Sequence, residues 1–373
     1  VIIMISETKF NEVFGKGQAM TKEYLNSPAG MQRRAKVWEL IRSVEGPVSL
    51  DRMAEAIGTS DFSYLLTADM NAQLLDSHAR YPVSYPMWTK QVAVNDFKQV
   101  PLVAFERPVR MLQKTAEHEG RPKTSVSEGQ YTIQLDSYSD TMEITRQAII
   151  NDALGAFNQI PTGFAEGAAM RAEYLATGII ADANGPHASM FDESSTYKNL
   201  ITSELSYDAV ISLWKKMAAQ TDAAGLPVMI RPKCLIVPPQ LEPKANEIVT
   251  AMSVDRYDLT SEVGYKITGK NQLAQLTIAV DQAITQISTS NTYAAKQWYL
   301  CADPNMGRPA VAFGVYRAAP TPRLLKKTPD TEIIGGGMDQ FSFGNRTIEY
   351  GCEWDIAAAR LDYRYIGASK PTS

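Results

Sequence analysis

Cysteine is scarce in this chain: Cys234, Cys301 and Cys352 are the only three in 373 residues, far apart and odd in number. That argues against a disulfide framework and predicts reduced thiols, as in a cytoplasmic setting. Histidine is equally scarce. His78, His118 and His187 have no second ligand at a metal-binding spacing, so each reads as an exposed loop or hairpin residue and no metal centre is expected. No apolar run is long enough to cross a bilayer, and the opening VIIMI is too short for the apolar core of a signal peptide. The first residue is Val1, which fits either an alternative start codon or removal of an upstream segment. Positive charge is not in excess: 37 Lys and Arg stand against 41 Asp and Glu, for a net charge of −4. With no basic stripe, the chain is not built to hold nucleic acid by its phosphates.

What is present is a globular composition, 45% hydrophobic and 21% charged. A chain of this length buries roughly three quarters of its unfolded surface, enough for two or three cores. Repeats, low-complexity tracts and long linkers are missing.

Four zones follow one another. From Thr21 to about Ala79 the pattern is helical but broken: QRRAKVWELIRSV, DRMAEAI and TADMNAQLLDSHA are separated by Gly46-Pro47 and by TSDFSYLL. Their apolar faces are short, which suits helices that dock on something larger. The second zone predicts a hairpin, with an outgoing strand near RPVRML, a polar tip TAEHEGRPKTSVSEG and a return near QYTIQLDSYSDTMEIT. In the return, Tyr131, Ile133 and Leu135 alternate with polar residues, the period of a strand covered on one face. Arms of that length would project on the order of 40 Å. A lone ribbon of two strands is marginal in water, so it calls for a partner.

Third come two helices in series. In EITRQAIINDALGAF, Ile150, Leu154 and Phe157 form an apolar stripe beside Arg146, Gln147, Asn151 and Asp152. Pro161 stops or kinks this helix. In the next, TGFAEGAAMRAEYLATGII, Phe164, Ala168, Leu175 and Ile179 lie on one side, with small residues elsewhere that allow close packing. A helix from Ser206 to Gly225, a buried strand CLIVPP, a helix LEPKANEIVTAM and strands at TIAVDQAI, WYLCAD and AVAFGVYR predict a mixed α/β region. The last zone, from Met338, predicts a pair of strands around Gly344-Asn345 and Gly351, and Gly335 to Gly337 read as a flexible joint.

Catalytic patterns fail on inspection. Gly264 to Asn271, GYKITGKN, has the spacing of a phosphate-binding loop, but Asn271 stands where Ser or Thr should hold magnesium. Val263, Tyr265 and Ile267 look like a strand continuing into it, which favours a surface turn. Acidic pairs such as Asp255 and Asp258 arise by chance among 41 carboxylates. No catalytic residue, cofactor or metal ligand is assigned.

The ordered motifs TSDFSYLL, WTKQVAVNDFK, EGQY, ITRQAIINDALGAFNQIP, VPPQLEPKA and LDYR run from Thr59 to Arg364. Together the sequence resembles the major capsid proteins of tailed bacteriophages, especially Mu-like head subunits with the Hong Kong phage type of shell fold. One departure is Asp152-Ala153-Leu154, where the family commonly has Asp-Asp-Leu, and the first 50 or so residues match poorly.

The resemblance implies an α+β capsid fold: an N-terminal arm with helices (1–100), an extended hairpin loop (101–145), a peripheral domain with a spine helix (146–205), an axial domain (206–318) and a C-terminal return (319–373). It implies a structural subunit, not an enzyme, that self-assembles into hexamers and pentamers enclosing double-stranded DNA. Portal, scaffold or decoration proteins are further implied partners, with no membrane and no sequence-specific DNA binding. The implied location is the virion capsid, assembled in the host cytoplasm. Implied assembly residues on the hairpin are Lys114, His118, Arg121, Lys123, Glu128 and Tyr131, and at the joint behind it Arg146, Gln147, Asn151 and Asp152. These last four fit a joint or inter-subunit contact, or simply a solvated helix face. Some relatives crosslink a hairpin lysine to an asparagine; Lys114 or Lys123 with Asn345 is the pairing available here, although the accompanying motif is missing. An encapsulin-like compartment and a nucleotide-binding enzyme are the alternatives.

Overall fold

The computed structural model describes residues 59–106, 127–145, 160–194, 197–221, 225, 227–258, 265–305, 309–327, 331–332, 338–339 and 344–372. In chain order the elements begin with α1 (Thr59–Arg80), β1 (Lys90–Val94), β2 (Val100–Glu106), β3 (Ser127–Ile133), β4 (Asp136–Thr145) and α2 (Ile160–Ile180). Next come β5 (Ala181–Asp182), β6 (Gly185–Pro186), β7 (Leu200–Ile201), α3 (Tyr207–Ala218), β8 (Pro232–Val237), α4 (Glu242–Thr250), β9 (Ser253–Asp258), β10 (Tyr265–Lys270) and β11 (Thr277–Val280). The last are α5 (Ala283–Ile287), β12 (Trp298–Ala302), β13 (Val311–Tyr316), β14 (Arg323–Lys326), β15 (Thr331–Glu332), β16 (Met338–Asp339), β17 (Thr347–Arg360) and β18 (Ile366–Ser369). The chain divides into two compact units, one of residues 1–81, 139–166 and 322–353, the other of 82–138, 167–321 and 354–373.

In the first unit, Met70 and Leu74, one turn apart on α1, pack with Ile144, Phe164, Leu324, Ile348 and Tyr350. The expected break at TSDFSYLL does not occur: α1 runs unbroken from Thr59 to Arg80. That stretch contains neither Gly nor Pro to stop a helix, and Thr, Ser and Asp at its start are residues that favour helix entry. His78 therefore lies on this helix, half-buried, not in an exposed loop, and burial lowers its pKa. β14 pairs with the early part of β17, placing Arg323 opposite Glu353, where the two form an ion pair. Both side chains keep solvent contact, so that pair stabilises by less than about 1 kcal/mol.

The second unit is organised by a sheet of order β11-β8-β12-β18-β7. β8 runs parallel to β11 and antiparallel to β12, and β18 is antiparallel to β12 and parallel to β7. Successive side chains of a strand point to opposite faces. Leu235 and Val237 of β8, with Trp298 and Leu300 of β12, join Leu213 and Met217 of α3 and Ala245 and Val249 of α4. The alternate residues Cys234, Ile236, Tyr299 and Cys301 join Ala172, Ala176 and Ile180 of α2 on the other face. A sheet covered on both faces reads in sequence as the continuous apolar run CLIV. Burial pushes the Cys234 thiol up to about 12 and raises Cys301 well above the ordinary thiol range, so these free cysteines are inert core residues. In a further set of pairings, β1 runs parallel to β13, and β13 is antiparallel to residues 356–360 of β17.

Several sequence expectations need correcting. On α2, the fully buried positions include Ala165, Ala169, Ala172 and Ala176, whereas Ala168, Leu175 and Ile179 are only partly buried. Ala172 and Ala176, among the small residues expected to allow close packing, let the helix axis approach the sheet. α3 ends at Ala218 rather than Gly225, since Thr221 bridges to Pro227 and the Val228 N–H donates to Gln220 O at 3.0 Å. TIAVDQAI is a strand only to Val280; the Asp281 carboxylate then accepts the Ala283 N–H at 2.8 Å and starts α5. In the C-terminal zone β17 is one long strand through Gly351, paired with β13 and β14, and the strand expected before it is not among the described residues. Phe341, Phe343 and Gly335 to Gly337 lie outside the described residues.

Gly367 of β18 lies where α3 crosses the sheet: a Cβ added there would stand 2.7 Å from Leu213 Cδ1 and 2.9 Å from its Cγ. Gly367→Ala is expected to destabilise the fold by about 1–3 kcal/mol. Denaturant unfolding checks this, and the combined Gly367→Ala, Leu213→Ala variant should lose less than the sum of the single changes.

Candidate functional site

The described part of the hairpin is the antiparallel pair β2 and β3, in register from Val100 opposite Ile133 to Glu106 opposite Ser127. The outgoing strand begins at Val100, earlier than expected, and RPVRML falls outside the described residues. The return strand belongs to this ribbon only as far as Ile133. From Asp136 the chain continues as β4, which pairs with β17. The expected arm of a dozen residues is therefore divided between a ribbon and a body strand. The seven residues of each ribbon strand span roughly 23 Å.

The division falls where two apolar residues are drawn into the body. Ile133 and Leu135 are almost fully buried among Val94 of β1, Ala312 of β13, and Ala357 and Ala359 of β17. Alanines on the receiving strands leave depth for these two side chains. At Gly314 the fit is tightest, because an added Cβ would stand 2.7 Å from Ile133 Cδ1 and 3.3 Å from Val94 Cγ2. Beyond Leu135, the Ser137 hydroxyl donates to Asp355 Oδ1 at 2.6 Å, and the Arg171 guanidinium of α2 lies 4.3 Å from the centre of the Tyr138 ring. On the incoming side, the Phe97 ring packs 5.8 Å from Tyr316. Both legs of the ribbon are thus held at its root.

Of the residues expected to serve assembly, Glu128 and Tyr131 lie on β3, opposite Phe105 and Leu102. EGQY therefore lies within a strand. Asn345 is exposed just before β17, followed by Arg346 at φ 52°. Lys114, His118, Arg121, Lys123, Arg146, Gln147, Asn151 and Asp152 lie outside the described residues. Sequence reasoning missed the roles of Gly314, Arg171 and Asp355. A glycine within the apolar run AVAFGVY was the available signal for Gly314.

Phosphate-loop geometry is not built at Gly264 to Asn271. Tyr265–Lys270 pairs with β9 over its whole length, so backbone groups that would cradle phosphate face a ladder instead. Buried Asn271 staples the turn: its amide donates to Ile248 O at 2.8 Å and Val249 O at 3.2 Å, and its Oδ1 accepts the Leu273 N–H at 2.8 Å. Among the described residues no cluster of three or more His, Cys, Asp and Glu could hold a metal ion. None of their helices is long and apolar enough to cross a membrane. His187 is half-buried and engaged, its Nδ1 lying 2.8 Å from the Ser189 hydroxyl.

A family model described as phage capsid protein matches residues 129–368. No curated protein matches the chain. Among solved structures, a chain of Gordonia phage Cozz is 13% identical, with 78% of this chain and 87% of that chain covered and a TM-score of 0.47. The capsid of a native GTA particle is 12% identical, with 79% and 91% covered and a TM-score of 0.49. A holo-SrpI encapsulin complex from Synechococcus elongatus is 7% identical, with 75% and 84% covered and a TM-score of 0.43.

The packing at the ribbon root gives a direct expectation. Gly314→Ala should displace Ile133 and destabilise the fold by about 1–3 kcal/mol, with hydrogen exchange rising first in 100–106 and 127–133. Ile133→Val in the same chain should restore part of the loss in denaturant unfolding.

Proposed function

This chain belongs to the phage capsid protein family, and from that premise we propose that copies of it assemble as hexamers and pentamers into a closed icosahedral head around double-stranded DNA. The family makes it a structural subunit of a phage head, located in the virion capsid. The observation that carries the assembly reading is the ribbon β2–β3, seven residues long in each strand and anchored through Ile133 and Leu135. A two-stranded ribbon gains stability by laying its faces and free edges on another surface, and in a shell of identical copies that surface is a neighbouring subunit.

Within this reading, residues 1–100 form the N-terminal arm and its helices, and 101–145 the extended loop. Residues 146–205 form the peripheral region with α2 as its spine, 206–318 the axial region, and 319–373 the return. Lys114, His118, Arg121, Lys123, Glu128 and Tyr131 meet the neighbour, while Arg146, Gln147, Asn151, Asp152 and Asn345 serve joints and contacts between copies. Strand addition suits these contacts, because backbone hydrogen bonds tolerate the bending that five-fold and six-fold surroundings require. Each interface falls in the obligate class, above about 2,000 Å². Portal and scaffold or decoration proteins complete the head, which assembles in the host cytoplasm. A net charge of −4 suits a container that encloses DNA without adhering to it, and no enzymatic step is assigned to the chain.

Glu106 and Ser127 are opposite each other at the end of the described ladder, so a two-residue Asn-Gly turn can replace residues 107–126. The shortened protein is expected to fold, by circular dichroism and denaturant unfolding, yet to sediment as small species with no shells in electron microscopy. Normal shells from this variant would refute the ribbon's part in assembly. Copurification of cargo enzymes in place of DNA with wild-type shells would favour a compartment over a phage head.

A further inference from the structure

Glu173 and Asp281 are two buried carboxyl groups in direct contact, within the second unit. Glu173 of α2 keeps 8% of its surface exposed, and Asp281, between β11 and α5, keeps none. Both oxygens of Glu173 are occupied by fixed donors. The Ser84 N–H lies 3.0 Å from Oε2 and 3.2 Å from Oε1, the Tyr85 N–H lies 3.2 Å from Oε2, and the Ser84 hydroxyl donates to Oε1. Asp281 accepts the Ala283 N–H at 2.8 Å and the Thr177 hydroxyl at 2.5 Å. Thr177 lies one turn beyond Glu173 on α2, so its bond to Asp281 sets the two carboxyl groups side by side, each acting on the other.

An ionised carboxylate only accepts hydrogen bonds, so a bond between two of them requires a proton on one. Glu173, surrounded by donors, is suited to the ionised form; Asp281, with no exposed surface, is suited to the neutral one. We propose that a single proton shared by Glu173 and Asp281 clamps α2 to the turn between β11 and α5, and that its loss on the alkaline side loosens this joint.

The surroundings favour retention of that proton. Burial, then the charge of Glu173, pushes Asp281 up to about 7. Burial raises Glu173 as well, opposed by the Ser84 and Tyr85 hydrogen bonds. The titratable neighbours are Tyr85 before β1, Tyr174 on α2 and Tyr299 on β12, with Asp182 of β5 acting on Tyr299. All three phenols are raised, by burial first and then by these acids. Among the described residues no Lys, Arg or His acts on either carboxyl. Deprotonation would therefore leave two negative charges in contact with no cation between them. An unfolded aspartate titrates near 4, so the folded chain binds one more proton between about pH 4 and pH 7. Through that window the folded-to-unfolded ratio falls about tenfold per pH unit from this group, and it stays level above.

The test uses the full-length chain and does not depend on shell formation. Infrared spectra are expected to show a protonated carboxyl stretch at about pH 6 that fades by about pH 9 and is missing in Asp281→Asn. In unfolding titrations, Asp281→Asn should gain about tenfold per pH unit on the wild type between about pH 5 and pH 7, because its amide donates to Glu173 at every pH. Glu173→Gln sets an NH₂ group against fixed donors and should lose stability throughout. Parallel wild-type and Asp281→Asn profiles, or no protonated-carboxyl band in the wild type at about pH 6, would overturn the proposal. If Asp281→Asn does not fold, the wild-type band and its pH dependence decide.

Discussion

The close approach of an alanine-lined helix to a sheet buried on both faces is the constraint on which the second unit depends. Ala172 and Ala176 bring α2 down onto Cys234, Ile236, Tyr299 and Cys301, while Leu213, Met217 and Val249 cover the other face. With both faces committed, β8 and β12 cannot slip by one residue, because every side chain would exchange one core for the other. Gly367 shows how little room remains, since its missing Cβ is where Leu213 sits. A layer this closely specified is stiff, and stiffness in the body is what allows other parts of the chain to be displayed away from it.

The ribbon uses that stiffness. Its root is a set of short apolar insertions, Ile133 and Leu135 between alanines of β13 and β17, with Gly314 giving the last space. Charge and hydroxyl contacts at Ser137, Asp355, Arg171 and Tyr138 fix the next residues, so the change from ribbon to body strand occurs within two residues. A root of this kind holds the ribbon at a defined place while leaving it a sheet of two strands among the described residues. In the proposed shell, where copies meet in unlike surroundings, such a root would separate a fixed attachment from an adaptable contact.

How far the sequence revealed this depended on which force set each element. Period-two alternation at Ile133 and Leu135, the continuous run at Cys234 to Val237 and the Ser206 cap, whose Oγ accepts the Ala209 N–H at 3.2 Å, are local signals, and the elements they announce are present. The boundaries that shifted were set by tertiary contact. α3 stops where Thr221 finds Pro227, and the return strand changes partner where β17 becomes available. On α2 hydropathy points to Leu175 and Ile179, whereas the small residues signal the close approach, and it is Ala172 and Ala176 that meet the sheet. LDYR was recognised only as a motif. Its reason is a buried turn in which Asp362 accepts the Arg364 N–H at 3.0 Å and its guanidinium at 3.2 Å.

The buried polar residues share one physical task, which is to fix irregular chain without adding apolar area. Asn271 bridges α4 to the segment before β11. Asn199 donates to Met190 O, Tyr363 O and Ile366 O while its Oδ1 accepts the Asp192 N–H, tying four separate backbone positions at one amide. An amide can do this at any pH, because it carries donor and acceptor permanently. Glu173 and Asp281 occupy a comparable place with groups that accept only, unless one is protonated. Buried joints made of amides are permanent; one made of two acids is conditional. Beside the apolar packing of the layers, that pair is an interior contact whose strength the solvent can still change.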